Sequence, residues 1–306
     1  MAGLLLLSGC AGLKEEVDPY RLLGKEKKLV VNGLISPQDQ VLMVKIDYPR
    51  SIVDGDTTDT WSSADYAEIA NSVVTLSTSG KTVRLDYDGD SFSISASRLP
   101  VIAGNTYQLR IQTPAGKQLA ASCVVPYAVK TMRVRFDSVA TLQNGTTLKR
   151  YFVTSHWTKP AVTPGYYQLA GLFRYTPGCP TCARGAAPAS ERTNAIQFDD
   201  LDETLLENKG AAAAGFDSMP AYLVDQGKSP EQAATGPFRT IYKAATVSVD
   251  LFSVDENYFL YQSAAVQQIK TKGNPFAEPV SLPSNISGGL GCFGAYNKST
   301  ALVKLL

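Results

Sequence analysis

Few residues in this chain have the types and spacing to do chemistry. Cys179-Pro180-Thr181-Cys182 could be a thiol redox pair, half of a zinc site or a local disulfide. The redox reading needs a thioredoxin-like βαβ setting, which the flanking sequence lacks, and zinc needs four ligands where only two lie close. His156 is the single histidine. Ser/His/Asp or Cys/His catalysis would have to run through it, and a His-built zinc centre is not expected. In the stretch VTSHWTK it falls at a strand end beside Trp157 and reads as an ordinary polar edge residue. Two acidic runs, Asp54 to Asp59 and Asp86 to Asp90, look like calcium loops at a glance. An EF-hand loop needs Gly at position 6 and Glu at position 12. The second run has Gly89 at position 4 and Ser97 at position 12, so Asp88-Gly89 is expected to turn a hairpin instead. The first run reads as a long exposed loop. Paired carboxylates for glycoside hydrolysis cannot be picked out. No catalytic residue, metal or cofactor is therefore expected. Tyr66, Tyr175 and Trp61, read as exposed in loops, could stack on sugar or peptide ligands.

Cys10 is a different case. Leu4 to Leu7 is apolar but far short of the roughly 20 residues that span a bilayer. Leu7-Ser8-Gly9-Cys10 resembles the bacterial lipobox, in which the cysteine thiol is acylated and the chain is cut just before it. Residues 1–9 are then a lipoprotein signal peptide and residues 10–28 a lipidated tether. No Lys or Arg precedes Leu4, so the positive n-region is missing and the true start is expected further upstream. Lys14-Glu15-Glu16 resembles the Bacteroidetes export signal that sends lipoproteins to the outer face of the outer membrane; a solvated tether would look similar. An exported chain permits disulfides, which favours a Cys179–Cys182 clip. Cys123 and Cys292 are either small buried hydrophobes or a pair.

The elements that position these residues read as mainly β. The 306 residues are 44% hydrophobic and 19% charged with a net charge of +1. That is long enough for two domains, and the near-neutral balance argues against a nucleic-acid partner. No other run could cross a membrane as a helix. In QVLMVKIDYP, Leu42, Val44, Ile46 and Tyr48 alternate with Val41, Met43, Lys45 and Asp47. TYQLRIQ does the same. Short β-branched runs separated by Ser-Gly, Asp-Gly and Ala-Gly turns fill the first half, which has no helix-period stripe and at most one short helical turn within Arg50–Ser72. The expectation is an immunoglobulin-like β-sandwich over residues 29–126. Residues 127–306 are expected to form a second β-sandwich-like domain, with a loop insertion at 176–238 holding a weak helical piece at Phe198–Gly210. Asp255 to Gly273 is the clearest helix, with Asp255 as its N-cap, and Cys292 to Leu306 is a closing strand.

The tail is the most specific stretch. Asn274-Pro275-Phe276, Pro279, Ser284-Asn285-Ile286, Gly288-Gly289-Leu290-Gly291 and Phe293-Gly294, with NYFLYQ ahead of them and LVVNGLIS near the start, resemble a Bacteroidetes outer-membrane lipoprotein family, domain-of-unknown-function family 4249. The resemblance covers Leu29 to Leu306. It implies an immunoglobulin-like first module, genes beside TonB-dependent receptors, and no catalytic residue to carry over. The glycines and prolines also have a plain reading, as turns and an extended path; the Gly-Lys-Ser/Thr that closes a P-loop is missing. The expected function is a non-catalytic, surface-exposed lipoprotein that binds a ligand or partner for a TonB-dependent receptor. A surface hydrolase of glycans or peptides and a structural or adhesive protein are the alternatives.

Overall fold

The computed structural model describes residues 28–49, 62–158, 165–178, 189–208, 215–229, 232, 234–272, 274, 276–278 and 280–306. Cys10, Lys14, Glu15, Glu16, Cys179, Cys182, Trp61 and the acidic run at Asp54 lie outside them, as do Pro275 and Pro279.

The first half alternates as its sequence requires. Strands β1 (Val30–Ile35), β2 (Val41–Asp47), β3 (Val73–Thr78), β4 (Lys81–Arg84), β5 (Asp86–Tyr87), β6 (Phe92–Ser95), β7 (Thr106–Gln112) and β8 (Gln118–Val124) follow in chain order. Leu42, Val44 and Ile46 of β2 and Tyr107, Leu109 and Ile111 of β7 turn into one buried core. Their neighbours face out, because successive side chains on a strand point to opposite faces. One layer runs β1-β2-β6-β5 and the other β4-β3-β7-β8. This is the strand arrangement of an immunoglobulin-like sandwich, as expected. Tyr107 adds the corner tyrosine of such folds. Its hydroxyl donates to Pro100 O (2.7 Å) and accepts from Ile102 N–H (3.0 Å). Tyr107→Phe should therefore cost about 1–3 kcal/mol in urea unfolding, since it orphans both backbone groups. Helix α1 (Ser63–Ala70) is longer than the single turn that the sequence suggests. Ser62 and Asp65 close a capping box on it, but only Ile69 is buried, so the sequence shows no apolar stripe.

The second half holds β9 (Met132–Gln143), β10 (Thr146–Thr158), β11 (Gly165–Pro177), β12 (Arg192–Ala195), β13 (Leu205–Asn208), β14 (Gly215–Asp217), β15 (Ala221–Tyr222), β16 (Ala234–Thr235), helix α2 (Phe238–Ile241), β17 (Tyr242–Val254), helix α3 (Glu256–Thr271) and β18 (Leu290–Lys304). Its core is aromatic, built from Trp157, Tyr167, Phe173, Tyr175, Phe238 and Tyr242 among others. Tyr175 is therefore not a loop aromatic open to ligands; it is 1% exposed and stacks on Phe173 with ring centroids 4.7 Å apart. Tyr66 remains exposed.

The stretch that reads as a loop insertion is structural in its described parts. Strands β12 and β13 pair with β11, while β14, β15 and β16 pair with β10. Ile196, Ala221 and Leu223 enter the core. The weak helical piece is a 3-10 turn, Leu201–Thr204, followed by β13, because Leu205 and Leu206 are held in register against Gln168 and Tyr167. Tertiary pairing overrides the local helical tendency there.

The strand β18 joins the two halves. Leu290–Ala295 pairs parallel with β1, and Tyr296–Lys304 pairs antiparallel with β17. One sheet thus runs β12-β11-β17-β18-β1-β2-β6-β5. Val125 is the last residue of the first stretch in one core, and Val129 opens the other. Ile286, Phe293 and Ala295 return from the far end of the chain to the first core.

Candidate functional site

The tail motif builds the junction. Between Leu290 and Ala295, β18 has β1 on one side and, among the described residues, no strand on the other. Side chains stand in for the missing strand. Asn285 Oδ1 accepts from Phe293 N–H (2.9 Å), and its Nδ2 donates to Phe293 O (2.7 Å) and to Ser122 O (3.2 Å). Asp255 Oδ1 accepts from Ala295 N–H (3.0 Å), while Asp255 N–H donates to Ala295 O (3.0 Å). A buried strand edge must be paired, and these two residues pair it. Asp255 is also the N-cap of α3, accepting from Tyr258 N–H.

This junction is buried. Burial raises the Asp255 carboxyl to about 6, against the pull of its backbone hydrogen bonds. Cys123 and Cys292 stand nearby as free, buried thiols. Burial and the Asp255 carboxylate push Cys292 up to about 12, and Cys123 is raised for the same reasons. Thiols held protonated in this way are small hydrophobes rather than nucleophiles.

His156 lies on β10 opposite Arg133 of β9 and Asp217 of β14. Its Nδ1 is 3.0 Å from Asp217 Oδ1, and its ring lies over Gly215. A His-Asp pair needs a nucleophile or a bound water to act. The neighbouring Ser218 hydroxyl is committed elsewhere, accepting from Ser155 N–H and donating to Met219 O. Asp88 turns the expected tight loop between β5 and β6, its Oδ1 accepting from Asp90 and Ser91 N–H. Among the described residues no group of three His, Cys, Asp or Glu side chains could hold a metal ion, and no helix is long and apolar enough to cross a membrane.

Among the described residues, two exposed apolar features stand out. The first is the end of the β9–β10 hairpin. Asn144 (φ 50°) and Gly145 (φ 73°) make its turn, and every residue from Val139 to Thr147 is exposed. Leu142 is 74% exposed, and no side chain from Ser138 to Leu148 is charged. An Asn-Gly pair between alternating runs is a strong hairpin signal, so this arm is one feature that the sequence alone could reveal. The second is Phe276, which is 93% exposed. Asn274 holds it out on a tight turn, accepting Phe276 N–H at Oδ1 (3.0 Å) and Ala277 N–H at its carbonyl (3.2 Å).

These features define a mainly β protein of two sandwich cores fused through one strand, with its apolar tips displayed. The profile of the family described as Domain of unknown function (DUF4249) matches residues 14–301, and the chain belongs to that family. No curated protein matches it in sequence.

Proposed function

We propose that this chain is a non-catalytic lipoprotein of the Bacteroidetes outer membrane, held at the cell surface by acylated Cys10 and serving a TonB-dependent receptor as a binding accessory. The observation that carries the binding role is the β9–β10 arm: an uncharged, threonine-rich ribbon exposed on both faces. A strand edge without lysine, proline or a bulge is otherwise a liability that proteins avoid. The lipobox-like Leu7–Cys10 and the charged Lys14-Glu15-Glu16 support the anchoring and the outward address. The receptor follows from the family resemblance. Shortening Gly178–Ala234 would remove core residues such as Ile196, Ala221 and Leu223, so the arm is the segment to vary.

Purification of the tagged protein from native outer membranes tests this reading. A TonB-dependent receptor should co-purify with the wild type and be lost, at least tenfold, from a Val139→Lys/Leu142→Lys variant of unchanged thermal stability. The reading fails if the protein fractionates away from the outer membrane, if no such receptor accompanies it, or if the variant binds equally well.

A further inference from the structure

A second surface lies on the opposite layer of the first sandwich, on the outward face of β4-β3-β7-β8. The ladder register places its side chains in rows. Arg84 is opposite Thr75, Thr75 opposite Arg110, and Arg110 opposite Ala120. The tail completes the row, since Ala120 and Ser287 exchange both backbone hydrogen bonds (3.1 and 2.8 Å). The adjacent row is Val73, Gln112 and Gln118. A groove of about 510 Å³ runs over these two rows, lined by Thr75, Arg110, Gln112, Gln118 and Ser287, with Val73 and Ala120 as its aliphatic patches and backbone between them. That volume is in the range of small-ligand sites.

The charges in and beside the groove are unbalanced. Among the described residues neither the Arg84 nor the Arg110 guanidinium has an ion pair or a side-chain hydrogen bond, unlike Arg150 and Arg174, which meet carboxylates. The outward positions of the four strands hold no Asp or Glu. The nearest acid along the chain, Asp86, belongs to β5 and pairs with Ser93 in the other layer. The rest of the lining is amide, hydroxyl and methyl. Gly288 is what brings the tail wall in: at φ 79° its Cα lies so close to Gln118 that a Cβ would stand 2.5 Å from the Gln118 carbonyl oxygen.

We propose that this face binds a polyhydroxylated carboxylate, a sugar acid or a chain of them, with Arg110 and Arg84 taking the acid groups and Thr75, Gln112, Gln118 and Ser287 the hydroxyls. Guanidinium matches carboxylate in planar, two-point geometry, and amides and hydroxyls both donate and accept as sugar hydroxyls do. An extended peptide would instead use a strand edge and apolar pockets, which this groove does not offer. The inference rests on reading the chain as a binding protein but not on the receptor. It assigns to the tail motif, through Ser287 and Gly288, a wall of the site.

The test is calorimetric titration of the purified full chain with three probes. Oligogalacturonate keeps both charge and hydroxyls, its methyl ester keeps only hydroxyls, and polyglutamate keeps only charge. Oligogalacturonate is expected to bind, the other two at least tenfold more weakly. Arg110→Gln and Arg84→Gln should each lower its affinity about tenfold, the loss of a charge-assisted pair, and Arg133→Gln should not. Both arginines are exposed, so the variants should keep the wild-type melting temperature. The inference is overturned if oligogalacturonate does not bind at millimolar concentration, if polyglutamate or the ester binds as tightly, or if Arg110→Gln leaves affinity unchanged. None of these results bears on receptor co-purification, so the two readings fail separately.

Discussion

Gly291→Ala should strongly destabilise the first sandwich. Gly291 sits in β18 at φ 106°, directly opposite Val31 of β1. A Cβ there would stand 2.1 Å from the Val31 carbonyl oxygen and within 3.0 Å of its carbonyl carbon and amide nitrogen. Every one of these atoms is backbone, so no side chain can move aside, and relief means opening the β1–β18 ladder. Gly89 separates this effect from strain in φ. It has nearly the same φ, 103°, yet a Cβ added there would meet nothing within 4 Å. Gly89→Ala should cost about 1–3 kcal/mol, the strain of a disfavoured backbone region alone. Gly291→Ala should cost more than about 4 kcal/mol, a large part of the 5–15 kcal/mol that holds a typical domain together. Urea unfolding of the two variants beside the wild type gives the comparison. Equal losses would mean that the close approach of β18 to β1 is not what requires glycine at 291.

This close approach also shows where the sequence stops being readable. Alternation within a strand is local, so the eight strands of the first sandwich can be anticipated from runs such as Tyr107, Leu109 and Ile111. The α3 cap at Asp255 is equally plain. The pairing of β18 with β1 is not, because it joins Val30 to Leu290 across nearly the whole chain and leaves no local pattern. The strands β12 to β16 escape a sequence reading for a related reason. They are two to four residues long, and their partners β10 and β11, not their own composition, make them strands.

The polar residues of the tail differ from a catalytic constellation in the same way. Asn285 and Asp255 are buried or half-buried polar groups near two thiols, which in a sequence pattern would suggest chemistry. In the structure each of them satisfies backbone groups that a neighbouring strand would otherwise take. Phe276 and the Val139–Thr147 arm lack any such internal duty, and they are where a partner has something to gain. Burying one phenylalanine ring removes apolar area worth roughly 2–3 kcal/mol from water.

Asp255 makes the junction respond to pH in the direction opposite to most carboxylates. Its folded value of about 6 lies above the ordinary 3.8, and burial is the main cause. The folded chain therefore holds this proton at pH values where the unfolded chain has lost it. Stability from this residue is greatest below about pH 4 and falls as pH rises towards 6, by roughly 3 kcal/mol for a shift of about two units. Asp88, whose carboxyl is held below its usual range by the Ser91 and Asp90 N–H groups, acts in the other direction. Asp255→Asn isolates the buried charge. The amide oxygen can still accept from Ala295 and Tyr258 N–H, while the contacts from Asn257, through its Nδ2 (3.2 Å) and its backbone N–H, are compromised. At pH 7 the asparagine variant should be more stable than the wild type by about 1–3 kcal/mol, the gain from removing an ionised group from a buried site less the lost Asn257 contacts. As the pH is lowered to 4 this advantage should vanish, because the carboxyl is then protonated and, like the amide, neutral with a donor where the carboxylate accepted. Urea unfolding of the pair at pH 4, 5, 6 and 7 would show the difference shrink. A stability difference that stays constant over that range would mean that Asp255 keeps its charge at pH 4 and that its hydrogen bonds outweigh its burial.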